Sequence, residues 1–430
     1  MERSLYGTGV PGPLQPVVAG LVTALVGFSA SFALVLVGLR AVGADQQQAV
    51  SALFALCLAL GVLNIGYALC TRKPVSIAWS TPGAALLVTA GPQHGGYPAA
   101  VGAFVVAGLM VVATGLSSRL VAWIGRIPAP ITSALLAGVL WPLCLAPVRA
   151  AVQLPGQALT PIAVWLLLSR FAQRWAAPGA LAAVLIELVV RRHTGLSGTS
   201  GLGLGPHLSL TMPRFTVGAL IGIAVPLFII TMAAQNLAGH TVLRGFGYHT
   251  GLRPALVTTG TVTALSAPLG VFAVCLAAIS AALAAGPDAH PLPSRRWIAT
   301  VSAGVCYLVL GLCAALVIAL LADSPPLLIE TVAGLALIAT LGSALSRALA
   351  DEQHRQAAVI TFAVTASGIS ILSIGSACWG LVCGLAIHIV LRRREPSAVP
   401  AHENNNGVNP AGPVAETPVE HSSQSATASG

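Results

Sequence analysis

The stretch Ile229-Ile230-Thr231-Met232-Ala233-Ala234-Gln235-Asn236-Leu237-Ala238-Gly239-His240 sets two amides and an imidazole at the end of an apolar run. Amide N–H groups bind an anion without adding a charge that must itself be desolvated. The same groups also tie one helix to another, so spacing alone leaves ligand binding and structural bonding both open. A second polar island reads Ser80-Thr81-Pro82-Gly83. Proline suits the first turn of a helix because its missing N–H is not needed there, and Ser80 or Thr81 can cap the freed donors. A helix starting inside a bilayer would present unpaired N–H groups and about half a positive charge to an anion. Gly83 would let that anion approach the backbone. The bland alternative is a proline kink whose freed groups are satisfied by neighbouring helices. Ser266-Ala267-Pro268-Leu269-Gly270 echoes the island, with Gly270 at its end and Ala267 unable to cap.

None of the 12 acidic residues falls in these segments. Glu187 stands beside Arg191 and Arg192, and Glu330 follows Pro325-Pro326 at an expected helix start. An anionic substrate would be repelled by a buried carboxylate, whereas a cation would call for one. His240 and Glu330 are the candidate proton carriers. The apolar region holds no HExxH, P-loop or GxSxG pattern, and His402-Glu403 lacks a second histidine. The chain therefore reads as no enzyme and no ATP-driven pump, without a cofactor. Its eight cysteines lie in apolar stretches with no CxxC pair, as core hydrophobes rather than metal ligands.

These residues must be positioned by membrane helices. Charged residues make up 8% of the 430 and hydrophobic ones 56%, a balance foreign to soluble domains of this size. The predicted spans are 17–39, 49–70, 75–90, 98–116, 128–145, 159–171 and 178–190, then 215–236, 254–264, 265–285, 297–321, 326–345, 357–371 and 374–391. The first is too long for a signal-peptide core and lacks a basic run before it. The fold class is thus all-α integral membrane, with about 14 spans in two sets of seven: residues 1–193, a Gly/Ser-rich linker 194–214, and residues 215–393. Residues 394–430 form a polar tail expected to be disordered.

The net charge of +9 is spread singly between apolar runs, unlike the basic patch of a nucleic-acid binder. Of the 21 Lys and Arg residues, only Arg40, Arg149, Arg191, Arg192 and Arg214 fall on the outer side if the amino terminus is cytoplasmic. The positive-inside rule then puts both termini in the cytoplasm of a cell whose plasma membrane holds the chain. Seven spans per half make the halves enter the membrane in opposite senses, so any internal repeat is inverted, a transporter signature. Pro130, Ala137 and Gly138 match Pro326, Ala333 and Gly334 at one constant offset.

Ala78-Trp79-Ser80-Thr81-Pro82-Gly83-Ala84-Ala85-Leu86-Leu87, Ile230-Thr231-Met232-Ala233-Ala234-Gln235-Asn236, Leu276-Ala277-Ala278-Ile279, Ala333-Gly334-Leu335-Ala336-Leu337 and Thr365-Ala366-Ser367-Gly368 together resemble the benzoate/proton symporter family. The resemblance runs in order over nearly the whole chain before the tail. It implies a fold similar to uracil permeases, with a core domain, a gate domain that could dimerise, and broken third and tenth spans. It further implies import of benzoate or a related aromatic carboxylate with protons, by alternating access. The site it implies contains Ser80, Thr81, Gly83, Gln235, Asn236, Gly270 and Cys275. Cys275 stands where the family more often has asparagine, Ala238 replaces a usual proline and His240 an apolar residue, so the acid itself stays open. The competing readings are a nucleobase or inorganic-anion carrier of the same fold, and a passive channel.

Overall fold

In the computed structural model, which describes residues 14–193, 208–321, 324–371 and 374–391, the chain is helical almost throughout. Residues 194–207 and the tail beyond 391 lie outside the described residues, as does the disorder expected of that tail. The first half consists of α1 (Gln15–Ala41), α2 (Gln46–Thr71), the short strand β1 (Ile77–Trp79), α3 (Thr81–Ala90), α4 (Tyr97–Leu116), α5 (Ser118–Ile124), α6 (Ala129–Cys144), α7 (Ala146–Gln153), α8 (Pro155–Phe171) and α9 (Ala176–His193). The second comprises α10 (Val217–Gly245), α11 (Leu252–Ser266), β2 (Val274–Leu276), α12 (Ala278–Ala285), α13 (Trp297–Leu321), α14 (Pro326–Leu349), α15 (Arg355–Ala366) and α16 (Ser376–Leu391). Among the described residues, eight helices are long and apolar enough to cross a bilayer.

Local chemistry sets the boundaries. Asp45 and Gln48 form a reciprocal capping box that starts α2, with Gln48 N–H donating to Asp45 Oδ1 at 2.8 Å and Asp45 N–H to Gln48 Oε1 at 3.0 Å. Arg72, left-handed at φ 54°, ends α2 and lays its guanidinium over the Trp297 ring at 4.4 Å. Small residues let backbones close up where apolar surface alone gives no drive to associate. A methyl group added at Gly108 would lie 2.9 Å from Gly260 O, so α4 and α11 meet there. The matched glycines of the sequence echo serve the same end: Gly138 in α6 faces Thr365 of α15, and Gly334 in α14 faces the Leu143 carbonyl of α6.

The break expected in segment 265–285 falls at its beginning, and the segment before it is one helix, longer at its end than 254–264. Helix α11 ends at Ser266, a tight turn follows through Gly270 at φ 95°, and the chain then runs extended through β2 before α12 begins. β1 and β2 pair antiparallel, with Ile77 opposite Leu276, Ala78 opposite Cys275 and Trp79 opposite Val274. Ser80 N–H donates to Ala273 O at 3.1 Å, and Ala277 N–H donates to Ser76 O at 3.0 Å. The structural counterpart of Ser80 is therefore Ala277, not Ser266. The echo on Ser266–Gly270 matched a helix start to a helix end, because Ser, Pro and Gly close together in the chain suit both.

Candidate functional site

A two-stranded ribbon inside an apolar bundle has two edges whose polar groups need partners. Three side chains supply them. Asn64 of α2 accepts from Ile77 N–H at 2.9 Å and donates to Ile77 O at 2.7 Å. Asn236 of α10 accepts from Leu276 N–H at 3.0 Å, and Thr263 of α11 accepts from Val274 N–H at 2.9 Å. Trp79 donates its indole N–H to Ser31 Oγ of α1 at 2.8 Å, and its ring meets Phe28 and Tyr307 at centroid distances of 5.8 and 6.2 Å. The ribbon is thus fixed from α1, α2, α10, α11 and α13.

Beyond each strand a short helix begins in the interior. At α3 Ser80 is the N-cap, its Oγ accepting Gly83 N–H at 3.0 Å. Pro82 has no N–H, so Thr81 carries the free donor of that turn. At α12 the N-cap is Ala277, which has no side-chain acceptor, and the intrahelical ladder starts only with Ala281 N–H to Ala277 O at 3.0 Å. The N–H groups of Ala278, Ile279 and Ser280 are left without partners among the described residues. The two starts differ in kind: one is capped, the other open. Three residues of strand, Ile77–Trp79, lie between them, so the starts stand four residue steps apart, roughly 13 Å along the strand direction.

One side of α10 passes both starts. Thr231 donates to Ser80 Oγ at 2.8 Å beside the start of α3. Gly239 lies against Leu276 and Ala277 at the start of α12, where an added methyl would be 3.1 Å from Leu276 Cβ. Gln235 stands between them, half-buried, with no hydrogen-bond partner for its amide among the described residues. Residues Met232–Leu237 form a π-helical turn, a widening often found at functional sites.

The structure separates the sequence-selected residues. Ser80, Thr81, Gly83 and Gln235 lie at the half-helix starts or between them. Asn236 is fully buried and committed to the strand, with Nδ2 against Met232 Sδ at 3.4 Å. Cys275 is fully buried in β2, its thiol directed to Ala78 O at 3.4 Å. Gly270 sits in the turn before β2, where an added methyl would meet Tyr97 Oη at 2.6 Å. Gly83 leaves room for Leu227 Cδ1, 2.6 Å from a methyl added there, so it serves helix packing. His240, half-buried one residue past Gly239, has its Nδ1 buried without a partner. Glu330 lies on α14, and Glu187 pairs with Arg191 at 3.0 Å on α9.

A small, mostly apolar pocket of about 10 Å³, room for about one water molecule, lies between α4, α10, α11 and the approach to β2. Its polar lining is Thr231 and Thr263, both already hydrogen-bonded, so it offers a ligand no free group. The sequence reading missed Asn64, Thr263 and Tyr307. A lone asparagine within the span 49–70 was the one available signal.

The model of the BenE family, benzoate membrane transport protein, matches residues 12–390. The chain belongs to the BenE family. This BenE protein is a membrane transporter and not an enzyme. It is 37% identical over 383 residues to the inner membrane protein YdcO of Escherichia coli (strain K12), covering 88% of this chain and 96% of that one. It is 28% identical over 396 residues to the benzoate membrane transport protein of Acinetobacter baylyi, covering 89% and 97%. In fold it is similar to the transmembrane domain of the cyanobacterial bicarbonate transporter BicA, with TM-score 0.54, 14% identity and coverage of 88% and 96%. SLC26A9 is similar too, with TM-score 0.60, 12% identity and coverage of 88% of this chain and 65% of that one.

Proposed function

We propose that this BenE protein imports benzoate or a related aromatic monocarboxylate by proton symport and alternating access. The observation that carries the reading is the pair of half-helices whose N-termini leave the β1–β2 ribbon, with a free amide at Gln235 between them and no acidic residue in the ribbon, α3, α10 or α12. Helix starts favour negative charge, and a neutral amide adds a directed donor without repelling it. The relative named for benzoate transport supports the choice of anion.

In this reading fourteen segments form two inverted sets of seven, α3 and α12 are the third and tenth, and both termini face the cytoplasm. Within the expected site, Gln235 and the helix starts contact the substrate, while Asn236, Cys275 and Gly270 hold the scaffold. His240, with its unpartnered buried nitrogen, is the preferred proton carrier over Glu330, which stands away from the ribbon on α14.

The test is uptake of radiolabelled benzoate into proteoliposomes under an imposed inward proton gradient, with and without a protonophore. Accumulation above the external concentration, abolished by the protonophore, is expected. Passive equilibration would indicate a channel. No uptake of benzoate, with uptake of labelled bicarbonate or sulfate instead, would favour an inorganic-anion carrier, the alternative suggested by the fold's likeness to a bicarbonate transporter.

A further inference from the structure

Arg72 and Lys73 follow α2 directly and meet the first turn of α13. The Arg72 guanidinium lies over the Trp297 ring at 4.4 Å, which occupies the face of the fork and leaves its edge N–H groups without partners among the described residues. Lys73 donates to the His249 carbonyl in the α10–α11 loop at 2.5 Å and keeps the rest of its ammonium donors. The neighbouring Tyr248 donates its hydroxyl to Pro293 O at 2.8 Å, so the α10–α11 loop, the α12–α13 loop and the end of α2 come together. Arg295, exposed just before Trp297, adds a further cation there. No acidic residue pairs with any of these cations among the described residues. Other basic side chains are already occupied: Arg174 and Arg355 pair with Asp288 and Glu352, while Arg253 and Arg296 donate to main-chain carbonyls.

We propose that Arg72, Lys73 and Arg295 form a binding site for the phosphate headgroup of an anionic phospholipid, with the Trp297 indole at its edge. A phosphodiester offers acceptor oxygens to the edge of an Arg fork and to a Lys ammonium at once. Like charges gathered without an acid repel one another, and an anion among them reverses that. Arg72 is held by the indole and Lys73 by a carbonyl before any ligand arrives, so binding costs less side-chain freedom than at an ordinary solvated loop. The surroundings select a lipid over free phosphate. Trp297 begins a membrane helix, where an amphipathic ring sits at headgroup level. Both helices then lead into the bilayer past exposed apolar side chains, Leu69 on α2 and Val305 on α13, against which acyl chains can lie. The positive-inside rule assigns this end of the helices to the cytoplasmic leaflet, and basic pockets between helices there take anionic headgroups. The end of α2 leads through Pro74 into β1, so a bound headgroup would brace the approach to the ribbon. The inference does not depend on which anion the protein carries.

The experiment titrates delipidated, purified full-length protein in detergent with phosphatidylglycerol, with phosphatidylcholine of the same acyl chains and with inorganic phosphate. Native mass spectrometry reads bound lipid, and the thermal midpoint is followed in parallel. The variants are Arg72→Asn, which suits the left-handed backbone there (φ 54°), Arg295→Gln, and Arg119→Gln as an exposed basic control on α5. Phosphatidylglycerol should bind the parent and raise its midpoint, while the other two leave it unchanged at the same concentration. Loss of one charge-assisted contact should raise the phosphatidylglycerol Kd about tenfold in Arg72→Asn and in Arg295→Gln, with no change in Arg119→Gln. If Arg72→Asn does not fold, the exposed Arg295→Gln decides. Kd values within twofold of the parent in the folded patch variants overturn the site. An equal response to phosphatidylcholine, or an equal loss in Arg119→Gln, overturns it too, since either means attraction without a defined site. An equal response to inorganic phosphate overturns the assignment to a lipid.

Discussion

Asn236 accepts the backbone N–H of Leu276 at 3.0 Å, just as Asn64 holds Ile77 on the facing strand of the ribbon. Two asparagines from different helices thus hold residues paired directly across the ribbon. Neither amide is spare. Asn236→Ala should strand a buried N–H and cost about 1–3 kcal/mol, and Asn64→Ala should cost more because it frees both the N–H and the carbonyl of Ile77. Thermal unfolding in detergent checks the order. Equal midpoints for parent and both variants would remove the clamp from the account.

Gln235 should behave differently. A hydrogen bond to a charged group is worth roughly 1.5–3 kcal/mol, so Gln235→Ala should weaken benzoate binding about tenfold to a hundredfold with little change in unfolding midpoint. Gln235→Glu should be worse, because it sets a like charge beside the anion. Equilibrium binding to purified protein at neutral pH is the measurement, and a Glu variant as tight as the parent defeats the assignment.

Gly83 is constrained by Leu227 rather than by a ligand alone. Gly83→Ala should destabilise the protein by about 1–3 kcal/mol through overpacking, and Leu227→Ala in the same chain should recover part of that loss. A double-mutant cycle on unfolding midpoints reads the coupling directly. Additive effects would show that the two sites do not touch.

Arg296 is a buried cation satisfied by main-chain carbonyls: Nε donates to His290 O at 2.7 Å, and one terminal nitrogen to Ala285 O at 2.7 Å, the last carbonyl of α12. It caps the negative end of the half-helix whose positive end faces the proposed anion site. Arg296→Lys has a single point of donation in place of a planar fork, so it should lower the unfolding midpoint nearly as far as Arg296→Gln. A Lys variant as stable as the parent would show that charge alone suffices.

Topology is open to test through fusions. Reporters placed after Arg394 and within residues 194–206 should label opposite sides of the membrane, the former in the cytoplasm. Labelling of both on one side contradicts the inverted arrangement.

Sequence alone determined that this is a membrane protein, because its hydropathy admits no other solvent, and placed interruptions at Ser80–Gly83 and in 265–285 because Pro and Gly break helices wherever they fall. It also singled out Gln235-Asn236, since polar groups in an apolar span always need a reason. It could not divide their labour. Adjacent residues on a helix point in different directions, and which one meets a strand and which meets open space depends on where that helix lies against β2. The likeness of Ser80–Gly83 to Ser266–Gly270 was legible, but not that one starts a helix and the other follows an end, because strand pairing of residues far apart in the chain fixes the equivalence. Only the tertiary structure decided that Ala277 is the counterpart of Ser80 and leaves the second helix start uncapped. Tyr307 carried no signal in the sequence, since an isolated tyrosine in an apolar span has no period and no motif. Its place against Trp79 and Gly27 comes from folding alone.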